Sequence, residues 1–157
     1  LAGTVGTLWN SPLVRETLQI PSGEDRPDGM ILGYPVITSG AYTHEDSIKF
    51  LLGEDRYQDE KEREKVSVEK LVNHDTPKAF LWHTFEDDLV PVENTLKMAD
   101  ALRKAGVLFE MHIYPHGPHG LAICDETTVD VKENLNPYAA YVSSWVEHCI
   151  RWIREVL

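Results

Sequence analysis

Lys78–Pro91 reads KAFLWHTFEDDLVP, and the fold turns on its first half. KAFLWHT is a short apolar run bounded by turn signals, so it predicts a buried β-strand from Lys78 to Thr84. Three acids, Glu86, Asp87 and Asp88, follow it directly. An acidic loop is often only a solvated surface. In open α/β sheets, however, functional groups gather beyond the carboxyl ends of strands. The question is whether one of these carboxylates takes part in chemistry, and which.

Downstream, PVENTLKMADALRKAG predicts a helix. Pro91 suits its first turn, Val92, Leu96, Ala99 and Leu102 share one face, and Gly106 stops it. VLFEMHIY alternates, with Phe109, Met111 and Ile113 one way and Glu110, His112 and Tyr114 the other, and predicts a strand near a sheet edge. A tight loop, PHGPHGLAI, follows. The chain ends on YVSSWVEHCIRWIREVL, where Val142, Trp145, Val146, Cys149, Trp152, Ile153 and Val156 form the apolar stripe of a packed helix.

Upstream, MILGYPVI predicts a buried strand from Met30 to about Tyr34, ended by Pro35, which cannot donate to a ladder. Residues 38–70 form a long charged connection. Within it SIKFLLG has helical spacing and a Gly stop, and DRYQDEKEREKVSVEKL mixes both charge signs at helical spacing, a solvated helix face. LAGTVGTLW is small and apolar, compatible with a tightly packed helix. NSPLVRETLQIPSGEDRPDG carries Pro and Gly punctuation and reads mostly as loop. Strand, long crossover, strand, helix, strand, helix is the order of an α/β chain with a parallel sheet and helices on its faces.

A length of 157 residues points to one domain. Hydrophobic residues at 42 % and charged residues at 26 % fit an ordinary globular chain. A net charge of −11 argues against nucleic acid, whose phosphates need clustered Lys and Arg, and against anionic membrane surfaces. No apolar run approaches the roughly 18–20 residues of a membrane-spanning helix. Cys124 and Cys149 lack paired spacing, which favours a reducing, cytoplasmic setting over a disulfide framework.

Adjacent parallel strands bring the acidic loop beside the loop that carries His116 and His119. A carboxylate next to an imidazole is the orienting half of a nucleophilic triad: the acid fixes the His tautomer and stabilises the imidazolium. His116 and His119 could also form a His-x-x-His metal pair with Asp87 as third ligand. That reading is disfavoured, because Gly and Pro make the segment a loop rather than the helix that usually presents such pairs. His44, His74, His112 and His148 read as ordinary surface or core histidines.

The order acid then His, late in the chain, is the order of the α/β-hydrolases. FLWHTFEDDLVPVENTLKMADALRKAGVLFEMHIYPHGPHGLAI resembles the C-terminal part of that fold. It is similar to the bacterial esterase/lipase group that includes acetyl-xylan-esterase-like carboxylesterases. There a strand leads into His-Thr/Gly-x-x-Asp-x-x-Val-Pro, then a helix, a strand and Gly-x-His-Gly. ILGYPVITSGAYTHEDSIKFLLG resembles the same group before the crossover, and LAG resembles the helix after the nucleophile. The resemblance implies a partial α/β-hydrolase fold, with about three parallel strands corresponding to the last three of the usual sheet. Residues 1–157 would be the C-terminal portion of one such domain, and residues 38–70 a lid-like insertion.

The resemblance also selects residues. The family acid lies four after the strand-end His and four before Pro; counted from His83 and from Pro91, both give Asp87. Glu86 and Asp88 are then solvated or structural neighbours. The family His in Gly-x-His-Gly is His119, and His116 merely sits on the loop. Ser11, Ser22, Ser39, Ser47, Ser67, Ser143 and Ser144 all lie outside a Gly-x-Ser-x-Gly elbow. AGTVG imitates one with Thr4, but no strand precedes it. The resemblance instead places the nucleophilic Ser and the oxyanion loop upstream of Leu1. Cys124 follows the His loop without a partner motif and reads as a buried structural thiol.

The resulting expectation is a serine carboxylesterase acting on a small ester, with a short acyl or acetyl group, on carbohydrate by resemblance alone. No metal or organic cofactor is expected. Tyr42 and His44 are candidates for the lid surface. The first strand would expose an edge where the N-terminal half of the domain belongs, inviting association with it or with a second copy. The alternatives are a prolyl-oligopeptidase-type peptidase and a hydrolase-like interaction module without a nucleophile.

Overall fold

A computed structural model describes residues 1–21, 23–125, 128 and 138–157. In chain order the elements are α1 (Ala2–Leu8), α2 (Pro12–Leu18), β1 (Gly29–Gly33), α3 (Glu45–Leu52), α4 (Glu54–Tyr57), α5 (Glu60–Lys65) and α6 (Val68–Leu71). These are followed by β2 (Lys78–Thr84), α7 (Glu93–Lys104), β3 (Phe109–Tyr114), α8 (Ala139–Val142) and α9 (Ser144–Glu155). Ser22, one of the serines weighed as a nucleophile, lies outside the described residues.

The three strands form one parallel sheet in the order β1-β2-β3. β2 is central. Ala79, Phe80, Leu81 and Trp82 are at most 1 % exposed, because a parallel strand with helices on both faces is apolar without alternation. Its side chains still alternate between two cores. Ala79 and Leu81 join Met30, Leu32, Ile37, Val68, Met98, Ala99 and Leu102 on the side of α1, α6 and α7. Phe80 and Trp82 join Tyr114, Leu121, Cys124, Val142, Cys149 and Trp152 on the side of α9. Gly6 explains the close seat of α1: a Cβ there would lie 2.1 Å from Met30 Sδ.

Four expectations change. Residues 12–18 are helical, not loop. Ser11 Oγ accepts from Val14 N–H at 3.3 Å and Pro12 fills the first turn, a cap signal that the lack of any buried residue in α2 conceals. The charged stretch 55–71 is broken into short helices rather than one. Asp59 starts α5 by accepting from Lys61 N–H at 2.9 Å, and Ser67 precedes α6 with its hydroxyl taking Ser39 N–H at 3.0 Å. Leu96 is 45 % exposed; α7 instead buries Asn94, Thr95, Met98, Ala99 and Leu102. Ile153 likewise faces outward, and the final helix is divided at Ser143 into α8 and α9.

Candidate active site

The C-terminal ends of β2 and β3 present two loops side by side. The register pairs Thr84 with Tyr114, so both strands end at one level. Phe85 N–H donates to Tyr114 O at 2.7 Å and ties the start of the acidic loop to β3.

Asp87 turns inward and is 5 % exposed. Its Oδ1 accepts from the backbone N–H groups of Leu89 (3.1 Å) and Val90 (2.8 Å), which closes the turn locally. Its Oδ2 accepts from His119 Nδ1 at 2.7 Å and lies 3.1 Å from His83 Nε2. Four donors on one buried carboxylate leave it one orientation.

His83, at the end of β2, is fully buried. Its Nε2 also lies 2.9 Å from Val90 O, and a carbonyl can only accept, so Nε2 carries the proton. Burial pushes the His83 pKa below its ordinary value, which keeps the ring neutral. Nδ1 is then the acceptor for the Thr95 hydroxyl at 2.7 Å, on the first turns of α7. His83 framed the choice of Asp87 in the sequence but was not named as a working residue. A polar side chain ending a strand that is buried on both faces was the available signal.

His119 gives Nδ1–H to Asp87 and is the partly open member of the pair, with 27 % of its side chain exposed. Its ring meets the edge of Tyr34, centroids 4.9 Å apart at 73°. Tyr34 in turn packs edge-on against Trp82 at 4.8 Å, and its hydroxyl accepts from Ala122 N–H at 3.1 Å. Trp145 Nε1–H holds Ala122 O from α9 at 2.9 Å. The His loop is thus buttressed from both β1 and α9. Tyr34 has φ +37, unusual for a bulky residue, and marks where the chain leaves the sheet. Gly117 has φ +130, and a Cβ there would lie 2.8 Å from Leu121 Cδ1, so the loop needs glycine.

The neighbours of Asp87 and His119 form a second pair. Glu86 Oε1 lies 2.8 Å from His116 Nδ1, and Glu86 Oε2 accepts from Gly117 N–H at 3.4 Å. The His116 hydrogen bond holds the Glu86 carboxyl below its usual range. His116 also packs on Tyr138, centroids 4.4 Å apart. His116 is therefore engaged on its loop rather than merely placed there, and it addresses a different carboxylate from His119. Asp88 faces solvent.

Asn94 was not foreseen at all. Its Oδ1 accepts from Ile37 N–H (2.9 Å) and Thr38 N–H (3.0 Å), and its Nδ2 donates to Tyr42 O at 2.8 Å. It pins the start of the β1–β2 crossover to the N-terminus of α7, directly behind the acidic loop. Of the two lid candidates, Tyr42 is half exposed, and His44 Nδ1 lies 2.8 Å from Ser47 Oγ. Neither touches Asp87 or His119.

Among the described residues no hydroxyl or thiol bonds His119 Nε2. Thr4 lies inside α1, not on a strand-to-helix turn. Burial pushes the Cys124 thiol up to about 11, which keeps it protonated and unreactive.

Parallel strands, helices on both faces and an Asp–His pair across the two loops define an α/β-hydrolase. The chain belongs to the prolyl oligopeptidase family, whose profile matches residues 26–148. An acetyl ester-xyloside bifunctional hydrolase from Caldicellulosiruptor lactoaceticus is 42 % identical, with a TM-score of 0.71 over 84 % of this chain and 43 % of that one. A carboxylesterase from Lactobacillus plantarum WCFS1 is 25 % identical, with a TM-score of 0.71 over 98 % of this chain and 53 % of that one. Endo-1,4-beta-xylanase B of Butyrivibrio fibrisolvens is 46 % identical over 101 residues, 64 % of this chain and 16 % of that protein. The chain thus spans about half or less of each of these relatives.

Proposed function

We propose that these residues supply the acid and the general base of a serine carboxylesterase that removes short acyl groups, acetyl on carbohydrate among them. The observation that carries this reading is the 2.7 Å bond from His119 Nδ1 to an Asp87 carboxylate that is itself held by Leu89, Val90 and His83. Because Nδ1–H is committed to Asp87, Nε2 is the nitrogen left to accept a proton.

The nucleophile in this reading is a serine on a strand-to-helix elbow upstream of Leu1. As its Oγ attacks the ester carbonyl, Nε2 takes the hydroxyl proton, and the imidazolium is stabilised by Asp87. Nε2 then returns that proton to the leaving alcohol, and an acyl-serine remains. Water then attacks the acyl carbon and gives its proton to Nε2, and Nε2 passes that proton to the departing serine Oγ, which releases the carboxylic acid and restores the serine. Upstream backbone amides stabilise the tetrahedral oxyanion.

The strand carrying that serine would pair along the edge of β1 that faces away from β2. Where it is absent, that edge is the place for a second copy. The connection spanning residues 38–70, anchored through Asn94, sits as a lid beside the acyl or alcohol pocket. The similarity to the Caldicellulosiruptor acetyl ester-xyloside hydrolase and the Lactobacillus carboxylesterase supports an ester substrate.

The family is named for a peptidase, so peptide hydrolysis is the second reading. The full-length protein should hydrolyse p-nitrophenyl acetate and release acetate from acetylated xylo-oligosaccharides, and His119→Ala should abolish both. Cleavage of a prolyl peptide without ester turnover would reverse the order of the two readings. Full ester turnover by His119→Ala would remove His119 from the mechanism.

A further inference from the structure

On the outer part of the sheet, away from the acidic loop, β3 and α9 bring three metal-ligating side chains together. Glu110 and His112 are two apart on an edge strand and so share a face. His112 Nε2 lies 2.8 Å from Glu110 Oε1. His148, from α9, stacks its ring on that of His112, centroids 4.5 Å apart and 17° from parallel. One donor atom from each residue falls within 4.8 Å of the other two. We propose that Glu110, His112 and His148 bind a divalent transition-metal ion of the zinc type.

The chemistry of the donors selects that class. Two imidazoles and a carboxylate suit zinc, nickel or copper, whereas magnesium and calcium want oxygen ligands. Three protein ligands leave a fourth position for water. Glu110 meets His112, and stacked rings cannot satisfy each other's nitrogens; a dication engages all three groups at once. A net charge of −11 favours cations near the surface.

The geometry is close to a site without being collapsed on one. Zinc–ligand bonds of about 2.0–2.2 Å put neighbouring donors of a tetrahedral shell roughly 3.3–3.5 Å apart. Glu110 and His112, 2.8 Å apart, would part by about half an ångström, and His148 would move to complete the shell. The His148 side chain is exposed on α9, while His112 also packs against Phe80, centroids 5.4 Å apart. A bound ion would clamp α9 to β3, the strand that leads into the His116–His119 loop.

Spacing gave no hint of this, because His112 and His148 are joined only by the packing of α9 on the sheet. The test is titration of the chelator-stripped full-length protein with ZnCl2 by calorimetry, beside His112→Ala, His148→Ala and His119→Ala. One zinc equivalent should be lost or weakened in each of the first two variants, by at least the roughly ten-fold that losing an outer-shell partner costs. His119→Ala should bind as the parent does. Zinc should also raise the unfolding temperature of the parent but not of His148→Ala, whose exposed position leaves the fold intact. Unchanged binding in both β3–α9 variants would overturn the proposal, as would loss of the ion on His119→Ala or no binding up to about 1 mM zinc.

Discussion

Glu86 and Asp87 are adjacent, both follow β2, and each holds a histidine of the loop after β3, at 2.8 and 2.7 Å. By distance the two pairs are the same. By environment they are opposites. The Asp87 side chain is fully buried and takes four donors, whereas 53 % of the Glu86 side chain and 43 % of the His116 side chain are exposed. A pair that water can reach is screened and replaceable; a pair inside the fold keeps its geometry and its charge. Burial and donor count, rather than contact distance, separate the pair proposed for proton transfer from a loop staple.

The largest effect should come from the buried pair. If the full-length protein is the proposed esterase, Asp87→Asn should lower its ester turnover by about 10⁴-fold, since the amide favours the wrong His119 tautomer. Glu86→Gln and Asp88→Asn should not approach this loss. Steady-state hydrolysis of p-nitrophenyl acetate by the three variants checks it, and equal losses would end the distinction between the pairs.

Next is the support under Asp87. Thr95→Val keeps the shape of the side chain but leaves buried His83 Nδ1 without its donor, at a cost of about 1–3 kcal/mol in urea unfolding. His83 also makes stability depend on pH. Its folded pKa lies below the 6.5 of the free group, so on acidification the unfolded chain binds a proton that the fold refuses. Stability then rises with pH across that window and is lost as pH falls below 6.5 towards the folded value. Urea midpoints between pH 7.5 and about pH 5.5 should fall less steeply for His83→Gln than for the parent. Identical slopes would mean that His83 titrates alike in both states.

How far this contrast was legible in the sequence depends on the range of the interactions. β2 was legible end to end, because a strand buried on both faces is a continuous apolar run. β3 was legible through its alternation. Asp87 and His119 were identified by resemblance to a motif, His-x-x-x-Asp and Gly-x-His-Gly, and not by any visible physical difference from Glu86 and His116. What made Asp87 distinctive, the His83–Thr95 relay, joins a strand end to a helix 12 residues on. Thr95 and Asn94 are polar residues on the buried side of α7, where an apolar count looks for Leu96. Only packing shows which side of α7 is which. For the same reason α2, which buries nothing, reads as loop in the sequence.

The smallest expected effect is the most informative about the exposed pair. Glu86 links the acidic loop to both His116 and Gly117 N–H, so it could steady the backbone that carries His119 without touching the reaction. Glu86→Gln keeps an acceptor for Gly117 and removes only the charge. Turnover should therefore stay within about two-fold of the parent, as is typical for a solvent-exposed ion pair. Any loss that does occur should vanish at high ionic strength, where the Debye length falls to about 3 Å at 1 M salt and the parent loses the same attraction. Assaying parent and variant at about 0.05 and 1 M NaCl distinguishes the cases. A deficit that persists at high salt would mean that Glu86 acts through geometry rather than charge, and the two pairs would then be parts of one device.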